Sequence, residues 1–373
     1  MTQCTAAVAH APGAPFTLET LDVGAPRQGE VRVRIAGVGL CHTDLVFRDQ
    51  VAGYPLPAVL GHEGAGVIDA VGEDVGDLKV GDKVVLGFSS CGACGRCAEG
   101  LPSYCEHFPA LNYAGMRLED GSSAYAKVED GGEERISSHF FGQSSFASHA
   151  IARVRNVVKV GETAVPLELL GPLGCGFQTG AGAVMRSMAC PKGSSLLIFG
   201  AGPVGLAAVM AGVIQGCADI ILVEPIAARR EVGRQLGATH VIDPAGQDLA
   251  EAVRAHRPTG VDFILDTSGN IGVIEAGLAC LTSHGMIGLV GVPKSMDATV
   301  AFNVGQLMTF GHRIIGIIEG DSTPQSFIPE LLAHHAEGRF PFDTLIQTYP
   351  LAEINEAIAA QARGDCIKVV LTP

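Results

Sequence analysis

The sequence has no uninterrupted run of about 20 apolar residues, and its first ten residues lack the basic segment and apolar stretch of an export signal. We therefore expect no membrane-spanning helix and a cytoplasmic location. Charge is scarce, at 17% of 373 residues, and positive charge is scarcer: 25 Lys and Arg stand against 39 Asp and Glu, for a net charge of −14. This balance argues against nucleic acid or an anionic membrane as the main partner.

Hydrophobic residues make up 47% of the chain, which is typical of a well-buried enzyme, and the length predicts about two domains. Eleven cysteines without an export signal favour metal ligands over disulfides. Six are assigned to metal sites below. The other five are predicted to be small core or surface residues: Cys4, Cys190, Cys217, Cys280 and Cys366.

A candidate catalytic metal site begins with Cys41 and His62, each in a glycine-rich stretch near the N-terminus. Thiolate and imidazole are ligands that zinc prefers, and a catalytic zinc needs three protein ligands and one open position. Cys175, between two glycines, is the best candidate for the third ligand.

Four further cysteines lie within fifteen positions, at C-x2-C-x2-C-x7-C spacing: Cys91, Cys94, Cys97 and Cys105. This spacing predicts a closed structural zinc site. An iron–sulfur cluster, which also uses four cysteines, and a chance run of cysteines are the alternatives. The loop has no apolar periodicity of its own, so a metal would hold it together.

Two kinds of β pattern predict two domains. Residues 31–38 alternate apolar and polar, and short Val- and Gly-rich runs follow up to residue 86, which predicts a β-rich, barrel-like first domain. Residues 112–138 are polar and acidic, and we interpret them as an exposed insertion or loop. The run at 195–199 is continuously apolar, as in a buried parallel strand of a second domain.

A nucleotide-binding pattern follows that strand at once. It contains Gly200, Gly202, Pro203, Val204 and Gly205, then a helix-like segment, then an apolar strand that ends in Glu224. G-x-G-x-x-G between a strand and a helix, with an acid nineteen residues after the last glycine, is the dinucleotide-binding context. Glu224 would bind both ribose hydroxyls and repel a 2′-phosphate, which predicts NAD.

Further apolar runs up to residue 318 predict a six-stranded, doubly wound parallel sheet. Two helical patterns and a strand at 367–371 then return to the first domain. The fold class is therefore α/β. We assign residues 1–177 and 319–373 to a catalytic domain with a zinc lobe at about 91–105, and residues 178–318 to an NAD-binding Rossmann domain.

Together these features resemble the zinc-containing alcohol dehydrogenases of the medium-chain dehydrogenase/reductase superfamily, over essentially the whole chain. The motifs are Gly-His-Glu at 61–63, the four-Cys lobe, Gly-Cys-Gly around Cys175 and the nucleotide fingerprint. Two segments, Cys-His-Thr-Asp-Leu-Val at 41–46 and Phe-Phe-Gly-Gln-Ser-Ser-Phe at 140–146, are similar to the bacterial aryl- and allylic-alcohol branch, which contains benzyl alcohol and geraniol dehydrogenases. The resemblance implies a GroES-like catalytic domain.

The resemblance also implies residue roles. Thr43 would bond the substrate oxygen, Asp44 would orient the His62 ring, and Glu63 would sit close behind the metal. The implied cofactor contacts are Glu224, Arg229, Thr179, Val292 and, near the phosphates, Lys368. The implied substrate channel is Phe88, Phe140, Phe141 and Ile318, with Val292 in its wall, although paired phenylalanines also occur simply as core residues.

One departure from the family concerns the path of the proton to solvent. Many relatives carry a His three positions after the Thr, where this chain has Val46. His42 stands beside Thr43 instead, so we hypothesise that His42 or water exports the proton. The alternative is that His42 only contacts a cofactor phosphate.

The function implied is the reversible oxidation of a primary aromatic or allylic alcohol to the aldehyde, with two zinc ions per subunit and NAD. Zinc would lower the pKa of the bound alcohol, Thr43 would accept the proton, and the alkoxide would pass a hydride to the nicotinamide. Two rivals are glutathione-dependent formaldehyde oxidation and a non-catalytic zinc- and nucleotide-binding protein. The resemblance and the long 112–138 segment make a homodimer the first expectation and a tetramer the second, with the sheet edge near 300–318 as the place where two copies would pair.

Overall fold

The computed structural model describes residues 2–129 and 132–373. The chain forms two compact units: Met1–Cys175 with Thr323–Ala336 and Pro341–Pro373, and Gly176–Ser322 with Glu337–Phe340. Our assignment of catalysis to the first part of the chain and of NAD binding to the second stays a prediction at this point. Within the described residues, no helix is both long and apolar enough to cross a membrane.

The first unit is rich in β structure. Its strands are β1 (Thr2–Ala9), β2 (Thr17–Val23), β3 (Glu30–Gly39), β4 (Ala58–Val59), β5 (Gly64–Val71), β6 (Lys83–Leu86), β7 (Tyr125–Glu129), β8 (Gly132–Ile136), β9 (His149–Arg153), β10 (Val157–Lys159), β17 (Ile346–Pro350) and β18 (Lys368–Thr372). Its helices are α1 (His42–Arg48), α2 (Gly95–Ala98), α3 (Phe108–Tyr113), α10 (Pro324–Ala336) and α11 (Ile354–Arg363).

Two sheets organise these strands. One has the order β4-β1-β2-β7-β8, and the other has the order β10-β6-β5-β3-β18-β17 with β9 also paired to β3. Strand β3 buries Val31, Val33 and Ile35, as its alternating sequence predicted, and pairs with β5, β9 and β18. The predicted β-rich, barrel-like domain is therefore confirmed.

Our interpretation of residues 112–138 as an exposed insertion or loop is wrong for the second half of the segment. Strands β7 and β8 form an antiparallel hairpin in which Tyr125 lies opposite Ile136. Both side chains are buried, and the Tyr125 hydroxyl donates to the carbonyl of Ser144 at 2.9 Å. The sequence did not predict the hairpin because Tyr125 and Ile136 stand within a segment rich in acidic residues. Residues 130–131 lie outside the described residues.

The second unit is built on one sheet with helices. Its strands are β11 (Ser195–Phe199), β12 (Asp219–Val223), β13 (His240–Ile242), β14 (Val261–Asp266), β15 (Leu281–Leu289) and β16 (Arg313–Gly316). Its helices are α4 (Gly176–Gly182), α5 (Pro203–Gln215), α6 (Ala227–Gln235), α7 (Leu249–His256), α8 (Ile271–Leu278) and α9 (Val304–Phe310).

The strands of this sheet are all parallel and lie in the order β13-β12-β11-β14-β15-β16. The order reverses between β11 and β14, which is the doubly wound arrangement. Apolar side chains of β11, β12 and β14 pack under α7 and α8, with Leu197, Ile221 and Ile264 fully buried. The predicted six-stranded Rossmann sheet is confirmed, and ligands of such sheets bind at the carboxyl ends of the strands.

Candidate metal and cofactor sites

Three predicted zinc ligands converge within the first unit. Cys41 precedes α1 directly after β3, His62 precedes β5, and Cys175 ends a short helical turn. Their ligand atoms, together with a carboxylate oxygen of Glu63, all lie within 4.8 Å of one another. Residues distant in sequence therefore form one cluster that is close enough to converge on a single ion.

Asp44 contacts the His62 ring, and its implied role in orienting a metal ligand stays a prediction. The Asp44 carboxylate lies fully buried, 2.8 Å from Nδ1 of His62. It also accepts the backbone N–H of Cys41 at 2.9 Å and that of Gly61 at 3.1 Å. One carboxylate thus connects the backbone at Cys41 to the backbone before His62. Groups that hydrogen-bond to metal ligands commonly orient them in this way.

The donor set fits a cation. The other ring nitrogen of His62, Nε2, is buried and has no hydrogen-bond partner among the described residues. Burial opposes protonation of His62, but the Asp44 carboxylate and the Cys41 sulfur raise its pKa well above the usual value. Cys175 holds the pKa of the Cys41 thiol well below its usual value, against the opposing effect of burial. The site therefore favours thiolate and attracts positive charge, which suits zinc.

Glu63 and Lys368 form a buried ion pair beside this cluster. The Lys368 ammonium lies 2.5 Å from a Glu63 oxygen and donates to the carbonyl of Leu40 at 3.0 Å. Burial raises the pKa of the Glu63 carboxyl, and Lys368 counteracts this. A Cβ atom on Gly39 would lie 1.8 Å from the Glu63 carboxylate, so only glycine fits there. The predicted contact of Lys368 with cofactor phosphates stays a prediction.

Thr43 and His42 occupy the first turn of α1. Thr43 is half-buried and His42 is exposed, directly after the ligand Cys41. Val46 is buried on the same helix. The predicted roles of Thr43 at the substrate oxygen and of His42 in proton export or phosphate contact stay predictions.

The predicted pocket phenylalanines surround the His62 ring. Phe141 stacks on it, with centroids 4.4 Å apart and planes 22° apart, and Phe140 meets it edge-on at 5.5 Å. Phe88 packs on Phe108, which in turn contacts Phe141. Phe88, Phe140 and Phe141 are all nearly fully buried in the first unit. Phe140 and Phe141 thus pack on His62, a predicted metal ligand. Their predicted contact with substrate stays a prediction.

The four clustered cysteines form the second metal-ligand group. Sulfur atoms of Cys91 and Cys97 lie 4.0 Å apart, and those of Cys94 and Cys105 lie 3.9 Å apart. Four sulfurs at about 2.3 Å from a tetrahedral zinc are about 3.8 Å apart, whereas a disulfide needs about 2.05 Å. Backbone N–H groups lower the pKa of the Cys94 thiol to about 6, whereas burial raises that of the Cys97 thiol to about 12, so the sulfur spacing and not the pKa values supports a metal here. The cluster therefore fits a structural zinc site.

The glycine-rich turn of the second unit has the geometry predicted for a dinucleotide. Gly200 has φ +98°, and a Cβ on Gly205 would lie 1.9 Å from the carbonyl oxygen of Gly200. A Cβ on Gly202 would meet nothing within 4 Å, so the space above it is open. The turn is tight where strand and helix meet and open where a pyrophosphate would approach, with Pro203 and Val204 starting α5.

Glu224 lies at the carboxyl end of β12, next to this turn. Its carboxylate accepts the backbone N–H groups of Ala201 at 2.7 Å and Ile226 at 2.9 Å. Arg230, which the sequence reasoning missed, donates to the carbonyl of Glu224 at 2.7 Å and pairs with Asp243 at 2.8 Å. The other predicted cofactor and pocket residues of this unit are Thr179 on α4, Arg229 on α6, and Val292 and Ile318 after β15 and β16.

Comparisons with known proteins agree with this geometry. Residues 27–162 match the family described as alcohol dehydrogenase GroES-like domain, and residues 203–336 match the family described as zinc-binding dehydrogenase. Geraniol dehydrogenase of Castellaniella defragrans is 47% identical over 98% of this chain and 96% of its own length. The chain belongs to the zinc-binding alcohol dehydrogenases.

This alcohol dehydrogenase is also similar to solved structures over its whole length. A zinc-binding alcohol dehydrogenase domain protein from Burkholderia ambifaria has a TM-score of 0.95 and 49% identity, covering 100% of this chain and 99% of that one. Benzyl alcohol dehydrogenase of Acinetobacter calcoaceticus has a TM-score of 0.95 and 42% identity, with the same coverage. The predicted resemblance to the aryl- and allylic-alcohol branch is confirmed.

Proposed function

We propose that this zinc alcohol dehydrogenase oxidises primary aromatic or allylic alcohols to aldehydes with NAD, and catalyses the reverse reduction. The observation that carries the proposal is the set Cys41, His62 and Cys175 gathered beside aromatic rings that pack on His62. The relatives named geraniol dehydrogenase and benzyl alcohol dehydrogenase support the same substrate class.

Each residue of the set has a proposed task. Cys41, His62 and Cys175 hold the catalytic zinc, and Asp44 keeps the His62 ring oriented. When bound, zinc supplies Lewis-acid activation of the alcohol oxygen, and NAD accepts the hydride. Thr43 Oγ1, in the half-buried first turn of α1, takes up the substrate proton while its own hydroxyl proton passes on toward solvent through His42 or water. Phe140 and Phe141 exclude water from the reacting oxygen.

In the second unit, Glu224 selects the cofactor. Its carboxylate is fixed by two backbone N–H groups and so is already oriented before any ribose binds. A carboxylate accepts hydrogen bonds from ribose hydroxyls and repels a 2′-phosphate. NAD is therefore the proposed cofactor, and NADP is disfavoured.

We also propose a homodimer formed through the edge of the parallel sheet. Strand β16 ends the strand order, and apolar side chains on β16 and α9 are exposed, among them Met308 at 78%, Val304 at 67% and Ile314 at 37%. An apolar edge strand favours pairing with another strand. A second copy related by a two-fold axis presents the same strand, so the two sheets join into one.

The test of the substrate proposal is NADH formation by purified, zinc-loaded protein. Benzyl alcohol, cinnamyl alcohol, geraniol, ethanol, and formaldehyde with glutathione are each offered with NAD and with NADP. We expect turnover of the first three with NAD. Turnover of ethanol alone would retain the family and reject the aryl and allylic class. Turnover only of formaldehyde with glutathione would favour the thiol-adduct rival, and no turnover with both zinc ions bound would favour a non-catalytic role.

A further inference from the structure

A buried loop supports the backbone that carries His62. Residues 139–146, here termed the ligand-supporting loop, run alongside residues 59–64. Backbone N–H groups of Ser145 and Phe146 donate to the carbonyls of Gly61 and Leu60, at 2.8 and 2.9 Å. The Ser144 hydroxyl donates to the carbonyl of Val59 at 2.6 Å.

Gln143 completes this pairing at the ligand itself. Its Nε2 atom donates to the carbonyls of His62 at 2.9 Å and Gly87 at 3.1 Å. Its Oε1 atom accepts from the N–H of Gly64 at 3.0 Å and the hydroxyl of Ser145 at 2.6 Å. An amide offers two donors and two acceptor sites, and all four are used. The side chain is 1% exposed, so these bonds are shielded from water.

The backbone of the loop adopts a conformation that side chains rarely take. His139, Phe141 and Ser144 have φ values of +60°, +50° and +57°. Non-glycine residues in this region are strained unless surrounding contacts hold them there. Asn156 donates to the carbonyl of Phe141 at 2.9 Å, and Ser144 Oγ accepts the N–H of Phe140 at 2.9 Å. Side-chain hydrogen bonds thus hold the strained backbone in place.

The loop also contacts the ring of the ligand. Phe141 stacks on the imidazole of His62, and Gln143 lies two residues further along the same loop. The loop therefore touches His62 at its ring face and at its carbonyl. Asp44 meets the ring from its Nδ1 edge. Movement of Gln143 displaces both the backbone of His62 and the phenylalanine that covers its ring.

We propose that Gln143 is a positioning residue for the catalytic metal site. Its amide joins the ligand-supporting loop to the carbonyl of His62 and the N–H of Gly64, on either side of Glu63. The inference rests on the proposed assignment of Cys41, His62 and Cys175 as ligands. Loss of the amide's donors leaves the Cys41 and Cys175 sulfurs in place and lets the imidazole shift. The metal is then held less tightly, with little effect on the four-cysteine site.

The test measures metal release from the fully zinc-loaded enzyme to a chromogenic chelator, which needs no substrate. Gln143→Glu keeps the size of the side chain but turns an oxygen toward the carbonyls of His62 and Gly87. Asn112→Asp is the matched control, because Asn112 is equally buried and its Nδ2 donates to the carbonyls of Ser89 and Phe108. We expect one zinc of Gln143→Glu to leave about 10 to 100 times faster. Both zinc ions of Asn112→Asp should leave at wild-type rates.

Cobalt substitution provides a second readout. The visible spectrum of the three-ligand cobalt site should change in Gln143→Glu, and that of the four-thiolate site should not. If Gln143→Glu does not fold, Gln143→Met, which removes all four hydrogen bonds without adding charge, takes its place. Unchanged release and spectrum, or equal loss of both metals in the Gln143 and Asn112 variants, would overturn the proposal. Failure of the proposed function differs, since wild-type protein would then bind metal at Cys41, His62 and Cys175 without oxidising any alcohol.

Discussion

Cys175 is the predicted ligand that joins a distant part of the chain to the predicted catalytic metal site. It enters the cluster with Cys41 and His62, more than a hundred residues after His62. Two ligands alone leave the ion bound to too few protein atoms for a catalytic zinc site, which takes three. Single-residue changes here should therefore act on metal content before they act on the fold.

Cys175→Ser should lower the zinc content from about two to about one per chain. Activity should fall at least about a thousandfold, because a catalytic metal contributes several kcal/mol to transition-state stabilisation. Metal analysis and turnover of benzyl alcohol check this. Cys217→Ser is the control, since Cys217 forms no disulfide and lies outside both ligand clusters. Two zinc ions in Cys175→Ser would contradict the ligand assignment.

Glu224→Gln should raise the KM for NAD about 10- to 100-fold and reduce the preference for NAD over NADP. Hydrogen bonds to a charged group contribute about 1.5–3 kcal/mol, and an amide no longer repels a 2′-phosphate. Asp219→Asn is the matched control, because Asp219 begins the same strand, at the end away from the glycine-rich turn, and pairs with Arg257. Initial rates with both cofactors decide the result. An unchanged KM would argue against ribose binding by Glu224.

At the scale of elements, the zinc lobe and the Glu30–Arg117 pair stabilise segments with little core of their own. Residues 91–105 contain only the short helix α2 and a short turn, and no residue of α2 is buried. The pair joins the start of β3 to the segment before β7, with Arg117 Nε 2.7 Å from a Glu30 oxygen and both side chains buried. Both devices replace hydrophobic burial with directional bonds.

Cys97→Ser should release the structural zinc and lower the midpoint of thermal unfolding by roughly 10 °C, since a structural zinc site contributes several kcal/mol of folding free energy. Arg96→Ala, in the same lobe, removes only an exposed pair with Glu99 and should shift the midpoint by little. Thermal unfolding followed by circular dichroism, with metal analysis, tests both. A shift as large in Arg96→Ala would show that the lobe, and not its metal, is responsible.

The Glu30–Arg117 pair makes a prediction about acid stability. Burial opposes ionisation of Glu30, but Arg117 and the Arg27 N–H outweigh it and lower its pKa below the ordinary value near 4.5. A carboxyl with a lowered pKa stabilises the fold above the unfolded-state pKa, and this contribution is lost as the pH falls through the folded-state pKa. Glu30→Gln should therefore cost roughly 3 kcal/mol at pH 7, with the difference from wild type shrinking below about pH 4.5.

Thermal midpoints of the two proteins between pH 3 and pH 7 provide the measurement. Glu99→Gln is the control, because the Glu99 pair with Arg96 is exposed at 56% on both sides. Its midpoint should follow wild type over the whole range. A constant difference between Glu30→Gln and wild type at every pH would contradict the assigned role of the pair.

The sequence predicts an element well when the residues that define the element are close together in the chain. Strand β11, the glycine turn and Glu224 follow one another along the chain, so local pattern was sufficient for them. The spacing of the four cysteines in the lobe is also a local pattern, so the sequence alone was sufficient to predict their cluster. The β7–β8 hairpin was missed because only Tyr125 and Ile136 reveal it, within an acidic segment.

The supports of the metal site were beyond sequence reasoning for a different reason. The Glu63–Lys368 pair and the contacts of Gln143 with His62 are long-range, and no local pattern records them. Gln143 was visible only as part of a motif that resembles relatives. A polar residue inside an otherwise aromatic and small-residue segment is the signal that points to a buried, fully bonded side chain.

At the scale of the whole molecule, the proposed dimer gives a direct test of the sheet edge. Ile314→Glu should place a charge on the open edge of β16 and shift the protein toward a single chain in sedimentation velocity. Val80→Glu is the control, since Val80 is 58% exposed in the first unit. It should keep the wild-type mass. Equal masses for the two variants would contradict an interface at β16, and a wild-type mass of four chains would require a further interface.

Strand β18 gives the order in which a ribosome can complete the first unit. It pairs with β3, and Lys368 reaches the carbonyl of Leu40 across 328 residues of chain. At about 5–20 residues synthesised per second, β3 waits roughly 15 to 65 seconds for this partner. Residues 176–322 emerge before β18, so their parallel sheet can form first. A nascent chain therefore leaves the Val38–Gly39 end of β3 without its β18 partner until synthesis is almost finished, whereas β9 can pair much earlier with residues 30–34 of the same strand.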